Sequence, residues 1–486
     1  MKKHVLLLSI PLMQIKQPSP AIYYLKGQLE SANISCTAID ANIILYDRMK
    51  DRWADIEYTL SAWCHDPMIE FYSTILETFT TIVDENIQIT EPVWVGLSIF
   101  SHNSRRLGTD ICKFIRHRYP DIKIVIGGTG LGNALGDTQF QYAKDMVQQN
   151  LIDHYITGEG EFAIVDLISN SNPQGNNINS APIQIKNVEN IVFANYEDCD
   201  HSLYPWEDYD YGVPTYVLTG SRGCVRRCDF CDVYKLWPDF TSRSGDHIAK
   251  EMIYHYEQRG VSCFYFSDSL VNGSMKAFRE LCNTLIQYQT THGMNFIWGG
   301  QFICRTNSQM NTNDYILSKK SGLRSVGIGI EHASERIRKL MRKGFDNKAM
   351  NDTINNLNVA GINTMLNFMS GHPMETEADF EENLKFLHTY KWASDNGIIA
   401  SLNLQNYIVF LDGTDFANKK DDLVTDDVGE FWKSKHVDLD FPEVHRRRKL
   451  FGDRCIELGW KSFSEEVYMA HMDNQLAAYL RMKNAS

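Results

Sequence analysis

Three cysteines fall within eight residues in the run Gly223-Cys224-Val225-Arg226-Arg227-Cys228-Asp229-Phe230-Cys231. Their spacing is C-x-x-x-C-x-x-C. Three thiolates on one short loop can converge on one metal centre, and soft sulfur ligands select zinc or iron–sulfur clusters. A closed structural site takes four ligands. This loop supplies three, and no fourth Cys or His stands at a companion spacing. Cys263, Cys282 and Cys304 sit in strand-like or helix-like stretches and read as small buried hydrophobes. Three ligands on a four-iron cube leave one iron open for a cofactor or substrate. A zinc knuckle with a remote fourth ligand, or reduced core cysteines, are the plainer alternatives.

The loop follows an apolar run, Thr215–Thr219, that opens a regular alternation. Further strands are predicted at Cys263–Phe266, Phe296–Cys304, Ser325–Ile330, Asn363–Met369 and Ser401–Val409. Helical patterns separate them at Gly245–Arg259, Met275–His292, Asn311–Lys319, Glu335–Lys343, Lys348–Ala360 and Glu377–Tyr390. Such units fit a partial (β/α)6 TIM-type barrel over residues 215–411, and barrel loops at strand C-termini carry the chemistry. Residues 412–486 read as a mostly helical C-terminal extension. Within it, His445-Arg446-Arg447-Arg448-Lys449 reads as an exposed helix face.

Upstream, residues 1–180 show an earlier α/β alternation. Strands are predicted at Val5–Ser9, Ser35–Ile39, Trp94–Ile99, Lys123–Ile126 and Asp153–Ile156, with helices near Ala21–Ser31, Arg105–Arg118, Gln139–Gln149 and Glu161–Ser169. This rhythm predicts a flavodoxin-like doubly wound parallel sheet, interrupted by a helical insertion at about 41–90. Ser169–Pro182 lacks a hydrophobic period, and residues 181–214 form a linker in which Ile183–Phe193 is expected to make a short hairpin. Ligands in such sheets sit beyond the strand C-termini. The loops there hold Ser98, the glycine run Gly127-Gly128-Thr129-Gly130, and Gly158-Glu159. Glycines permit close backbone approach, yet this run is neither a dinucleotide fingerprint nor a phosphate loop.

The cysteine run, with Phe230 before its last Cys, resembles the signature of the radical S-adenosylmethionine (SAM) superfamily. The resemblance implies a [4Fe–4S] cluster on Cys224, Cys228 and Cys231, with SAM chelating its open iron. Electron transfer then cleaves SAM to methionine and a 5′-deoxyadenosyl radical, which abstracts hydrogen from substrate. Other segments are similar to that family in the expected order. Ser267 and Asp268 close the second barrel strand, where many members carry Gly-Gly-Glu for the SAM amino group; that run is absent here. Arg305 ends the third strand, and Glu331 ends the fourth, where a carboxylate often reaches the SAM ribose. A helix-cap carboxylate is the alternative for Glu331. Gly371 opens the turn after strand five, where the backbone passes near adenine. Arg222, Arg226, Arg227, Lys235 and Arg243 surround the cluster loop, either balancing its negative charge or simply solvated.

The N-terminal glycine pattern looks like the cobalamin (vitamin B12)-binding domain that precedes the barrel in one class of these enzymes. That class implies Ser98, Gly127, Gly128, Gly130, Gly158 and Glu159 as cobalamin contacts. No Asp-x-His motif occurs, so no residue announces a cobalt ligand, and the same fold with an empty site stays open. A related class, the methylthiotransferases, carries a second N-terminal cluster; Cys36, Cys64 and Cys112 fall inside a strand, the insertion and a helix rather than on strand-end loops.

Composition limits the partners. The chain has 486 residues, 43% hydrophobic and 22% charged, with a formal charge of −13. That charge argues against nucleic acid and anionic membranes as bulk partners. Eleven cysteines are too sparse for a disulfide scaffold, which points to a reducing cytoplasm. Val5–Ile10 is too short for a signal peptide and reads as a buried strand, and no transmembrane helix is expected. Within those limits, the resemblance implies a radical SAM enzyme using cobalamin to transfer methyl to an unactivated carbon of a small-molecule or peptide substrate, with an electron donor such as flavodoxin or ferredoxin. Radical cyclisation or rearrangement without cobalamin, or a non-catalytic metal-cluster protein, are the alternatives.

Overall fold

The computed structural model describes residues 4–61, 69–132, 139–169, 178–182, 184–208, 211–405, 410, 413–428 and 431–460. Cys64, most of the Ser169–Pro182 linker, the end of the last predicted barrel strand and residues 461–486 lie outside the described residues.

The N-terminal sheet has five strands: His4–Ser9, Ser35–Ile39, Trp94–Ser98, Lys123–Gly127 and His154–Ile156. Their spatial order is second, first, third, fourth, fifth, and every pair is parallel. This is the flavodoxin-like order, with its switch point between the first and third strands. The inner strands His4–Ser9, Trp94–Ser98 and Lys123–Gly127 are short apolar runs buried on both faces, as a sheet between helical layers requires, whereas the edge strand Ser35–Ile39 alternates buried and more exposed residues. The insertion is helical over Ala41–Met49, Trp53–Ser61 and Ile69–Thr90, and it buries Trp53, Ile56, Ile75, Phe79 and Val83 against strand residues such as Leu6 and Val95.

The expected hairpin at Ile183–Phe193 is not formed among the described residues; a single 3-10 turn covers Val188–Asn190. The chain's donors turn instead to the helix Pro20–Ser31. Val192 N–H donates to Gln28 Oε1 at 3.3 Å and Asn195 N–H to Tyr23 O at 2.9 Å. A Cβ on Gly27 would sit 2.3 Å from Phe193 O, so a glycine is needed for this approach.

The second sheet has six strands: Thr215–Leu218, Cys263–Phe266, Ile297–Phe302, Leu323–Glu331, Asn363–Met369 and Ile399–Gln405. They pair in chain order, with helices between them, which is the partial-barrel arrangement. Local signals fix the helix starts. Asn311 with Asp314, and Thr376 with Asp379, form capping boxes for Thr312–Lys320 and Glu377–Thr389. The compact units are Met1–Leu218 with Tyr254–Tyr265, and Thr219–Ile253 with Phe266–Ser486.

Among the described residues, the C-terminal extension is mostly helical and adds one short pair of strands. Val424–Val428 and Phe431–Ser434 pair as antiparallel strands before the helix Phe441–Glu457. That helix does not expose its basic run. Arg447 and Arg448 are 3% and 1% exposed, because they share the buried face with Val444, Phe451 and Cys455. Among the described residues, no helix is long and apolar enough to cross a membrane.

Candidate functional site

The cysteine loop leaves the first barrel strand through Gly223, whose φ is +78°. A Cβ there would meet Asp239 O at 2.5 Å, so the turn demands glycine. Asp268 fixes the loop's entry. It accepts from Gly220 N–H and from Ser221 Oγ, both at 2.8 Å. Burial pushes this carboxyl up to about 6 against those hydrogen bonds. Both Asp268 oxygens are thus engaged in the loop, while Ser267 Oγ lies 3.0 Å from Thr219 Oγ1.

The thiols of Cys224, Cys228 and Cys231 are unpaired; Cys228 is buried and the other two are half-buried. Arg226 N–H donates to Cys224 Sγ at 3.4 Å, and Cys231 N–H to Cys228 O at 3.2 Å. The loop is tied down by Asp229 N–H to Met341 O at 3.1 Å and Phe416 N–H to Asp229 O at 2.8 Å. Burial pushes the Cys228 thiol up to about 11, with Lys343 drawing it back. These thiols shed their protons when a metal centre takes them. Among the described residues, no group of three or more His, Cys, Asp or Glu side chains is arranged to hold a single metal ion. Three unpaired sulfurs on one loop, an N–H aimed at sulfur and an adjacent cation fit an anionic iron–sulfur cluster.

Lys343 carries no sequence motif, and the sequence reading missed it. Its Nζ lies 2.6 Å from Glu331 Oε1, and both side chains are largely buried. Burial works against its charge, but Glu331 and then Cys228 hold the ammonium above its ordinary value. Glu331 adopts φ +65° at a register shift between the fourth and fifth strands. A Cβ on Gly329 would fall 2.2 Å from Glu331 Oε1 and 2.8 Å from Lys343 Nζ, so the pair lies across that glycine. Glu331 is therefore not a helix cap. Arg305 donates to Asn272 O at 3.0 Å and Gly273 O at 2.9 Å, clamping the loop after the second strand.

Gly371, at φ +92°, donates its N–H to Glu375 Oε2 at 2.8 Å. Glu375 is fully buried. It also faces His332 Nε2 at 3.5 Å and Arg447 at 3.2 Å. Burial opposes its ionisation, yet His332, the Gly371 N–H and Arg447 hold its carboxyl below the usual range. The basic run of the C-terminal helix thus supports the turn after strand five. Its signal was the apolar period Val444, Phe451, Cys455, which brackets Arg447 and Arg448.

Other basic residues divide. Arg243 is committed to buried Glu251 at 2.5 Å and Lys235 to Asp415 at 3.1 Å, whereas Arg227 is exposed and donates to Pro238 O at 3.3 Å.

At the N-terminal sheet, Ser98, Gly127, Gly128 and Gly130 meet at the ends of adjacent strands, with Gly158 and Glu159 beyond the fifth. Cβ atoms on Gly128 and Gly130 would sit 2.4 Å from Ile99 O and 2.5 Å from Ser101 O. These glycines let neighbouring loops close on each other. Ser9 Oγ donates to Asp40 at 2.6 Å, and Tyr204 Oη to the same carboxylate at 2.8 Å. Glu159 is buried and accepts from Ile185 N–H. Cys36 and Cys112 are buried in a strand and a helix, with the Cys112 thiol pushed up to about 12 by burial.

Residues 218–387 match the profile of the Radical SAM superfamily. The anaerobic magnesium-protoporphyrin IX monomethyl ester cyclase of Rubrivivax gelatinosus is 26% identical over 298 residues, covering 57% of this chain and 49% of the relative. An uncharacterized methyltransferase of Pyrococcus horikoshii is 27% identical over 323 residues, covering 57% and 66%. The chain thus spans from about half to two thirds of the length of these relatives. Among solved structures, the radical SAM methyltransferase TsrM of Kitasatospora setae, with cobalamin and a [4Fe-4S] cluster bound, superposes with a TM-score of 0.59 at 16% identity, covering 86% of this chain and 74% of TsrM. The cobalamin-dependent SAM radical enzyme OxsB, with aqua-cobalamin and SAM bound, gives 0.64 at 15% identity, covering 93% and 66%. At these identities the likeness is one of fold. Residues 218–387 are thus a radical SAM domain, and the fold of the chain is similar to the folds of TsrM and OxsB.

Proposed function

We propose that this enzyme transfers a methyl group to an unactivated carbon of a small molecule or peptide, with cobalamin held by the N-terminal sheet. One observation carries the reading: a three-cysteine loop on the first strand of a radical SAM barrel, preceded by a sheet in flavodoxin-like order. We assign residues 1–180 to the cobalamin-type domain, 181–214 to the linker, 215–411 to the barrel and 412–486 to the extension. When bound, the cluster and SAM supply a 5′-deoxyadenosyl radical. Cys224, Cys228 and Cys231 hold the cluster. Glu331 accepts from the SAM ribose hydroxyls, and the Lys343 ammonium fixes the orientation of that carboxylate. Gly371 offers its backbone to the adenine. Ser267 and Arg305 shape the entrance, and Asp268 positions the loop. An external donor such as flavodoxin or ferredoxin supplies the electron, in the cytoplasm.

A second reading, ring closure or rearrangement without cobalamin, draws on the close packing of Gly128 and Gly130 and on the cyclase relatives. The visible spectrum of protein purified from cobalamin-supplied cells separates the two. A corrinoid spectrum at near one equivalent supports the first, and none selects the second.

A further inference from the structure

Beside the cysteine loop lies a cavity of about 520 Å³ lined by Arg226, Lys339 and Arg342, with Gln309, Gly344 and Asp346. None of the three loop cysteines, Glu331 or Gly371 lines it. Its charge is lopsided: three cations face a single carboxylate. One oxygen of that carboxylate is engaged, because Asp346 caps the helix Asn347–Ala360 by accepting from Ala349 N–H at 2.8 Å. Lys339 and Arg342 each have a carboxylate partner, Glu335 and Asp415, both at 2.7 Å.

Arg226 differs. Among the described residues it makes no ion pair, and its Nε is buried without a hydrogen-bond partner. A buried guanidinium N–H left without an acceptor costs free energy, so a site that leaves one open favours an acceptor arriving from outside. Gly344 lets the guanidinium lie flat on the chain. At φ +73°, a Cβ there would fall 2.7 Å from an Arg226 terminal nitrogen. The N-terminus of the helix Asn347–Ala360 opens beside this guanidinium and adds its dipole to the positive field.

We propose that this cavity binds the carboxylate or phosphate group of a small ligand, with Arg226 as its principal contact. As the anionic end of the substrate, such a group would sit beside the cluster loop, since Arg226 lies between Cys224 and Cys228 in sequence. That assignment to substrate rests on the radical SAM reading; the anion site itself does not.

The test is equilibrium binding of inorganic phosphate, and separately of citrate, to the cluster-loaded full chain, with glycerol as neutral control. Saturable binding of phosphate, citrate or both is expected, phosphate alone marking a phosphate-bearing ligand. Arg226→Gln should weaken it at least tenfold, Lys339→Gln a few-fold, and Lys449→Gln not at all. Cluster absorbance reports that each variant is folded, and should Arg226→Gln fail to assemble, the Lys339→Gln decrease decides. No saturable binding of either anion, or unchanged affinity in both cavity variants, overturns the proposal. Formation of 5′-deoxyadenosine is read in a separate assay, so failure of the radical SAM reading and failure of the anion site are distinguishable.

Discussion

At one flank of the barrel mouth, the cysteine loop presents three unpaired thiols, steadied by a handful of backbone bonds and by Lys343. At the other, the turn at Gly371 is locked before any ligand arrives, its N–H bound to a buried Glu375 that also meets His332 and Arg447. On the roles proposed above, the difference follows from what each flank would hold. A metal centre contributes its own binding energy and can draw a loosely tied loop around itself. A turn that offers only backbone to a flat ring has no such source of energy, so the protein must fix it in advance. Organisation by ligand and organisation by fold thus stand on two neighbouring loops of one compact unit.

The comparison breaks if the two flanks respond alike to damage. Cys228→Ala has the largest expected effect on function. It should abolish cluster absorbance and SAM cleavage, while changing the stability of cluster-free protein by only about 1 kcal/mol, the ordinary size of a small buried truncation. Arg447→Met should do the reverse. It strands Glu375 in a buried site, at about 3–5 kcal/mol of stability read from the denaturant midpoint, with cluster absorbance retained in the folded protein. If Arg447→Met leaves the midpoint unchanged, the turn is not locked by that ion pair.

Acid sharpens the same contrast. Burial pushes the His372 imidazole down to about 4, and its Nδ1 accepts from Met374 N–H at 3.1 Å. A folded-state value below the ordinary 6.5 means that stability is present above about pH 6.5 and is lost as pH falls toward 4. Between those limits the wild type should lose about 3 kcal/mol more than His372→Gln. Parallel pH curves for the two proteins would remove His372 from the account. The smallest effect belongs to Glu331→Gln. Loss of a charge-assisted hydrogen bond of about 1.5–3 kcal/mol should weaken SAM binding by roughly tenfold or more, with the cluster intact.

Much of this was legible in the chain. Cys263–Phe266 and Asn363–Met369 are strands over the expected residues, because short apolar runs between turn signals have few other folds. The cysteine spacing marked its own loop. What sequence hid were contacts between distant positions. Lys343 is 12 residues from Glu331, and Arg447 is 72 from Glu375; neither separation is a motif. The basic run misled because charge ordinarily faces water, yet the helix period around Val444 and Phe451 carries Arg447 and Arg448 inward. The strand pair Val424–Val428 and Phe431–Ser434 hid in a polar stretch, where alternation is weak.

The central claim is that Cys224, Cys228 and Cys231 hold a cluster that cleaves SAM. The direct measurement is anaerobic reconstitution with iron and sulfide, followed by reduction and quantification of 5′-deoxyadenosine from added SAM. The account predicts about four irons per chain and deoxyadenosine formation that each of the three Cys→Ala variants eliminates. A fully loaded, reduced protein that forms no deoxyadenosine, or a single variant that keeps both cluster and cleavage, would contradict it.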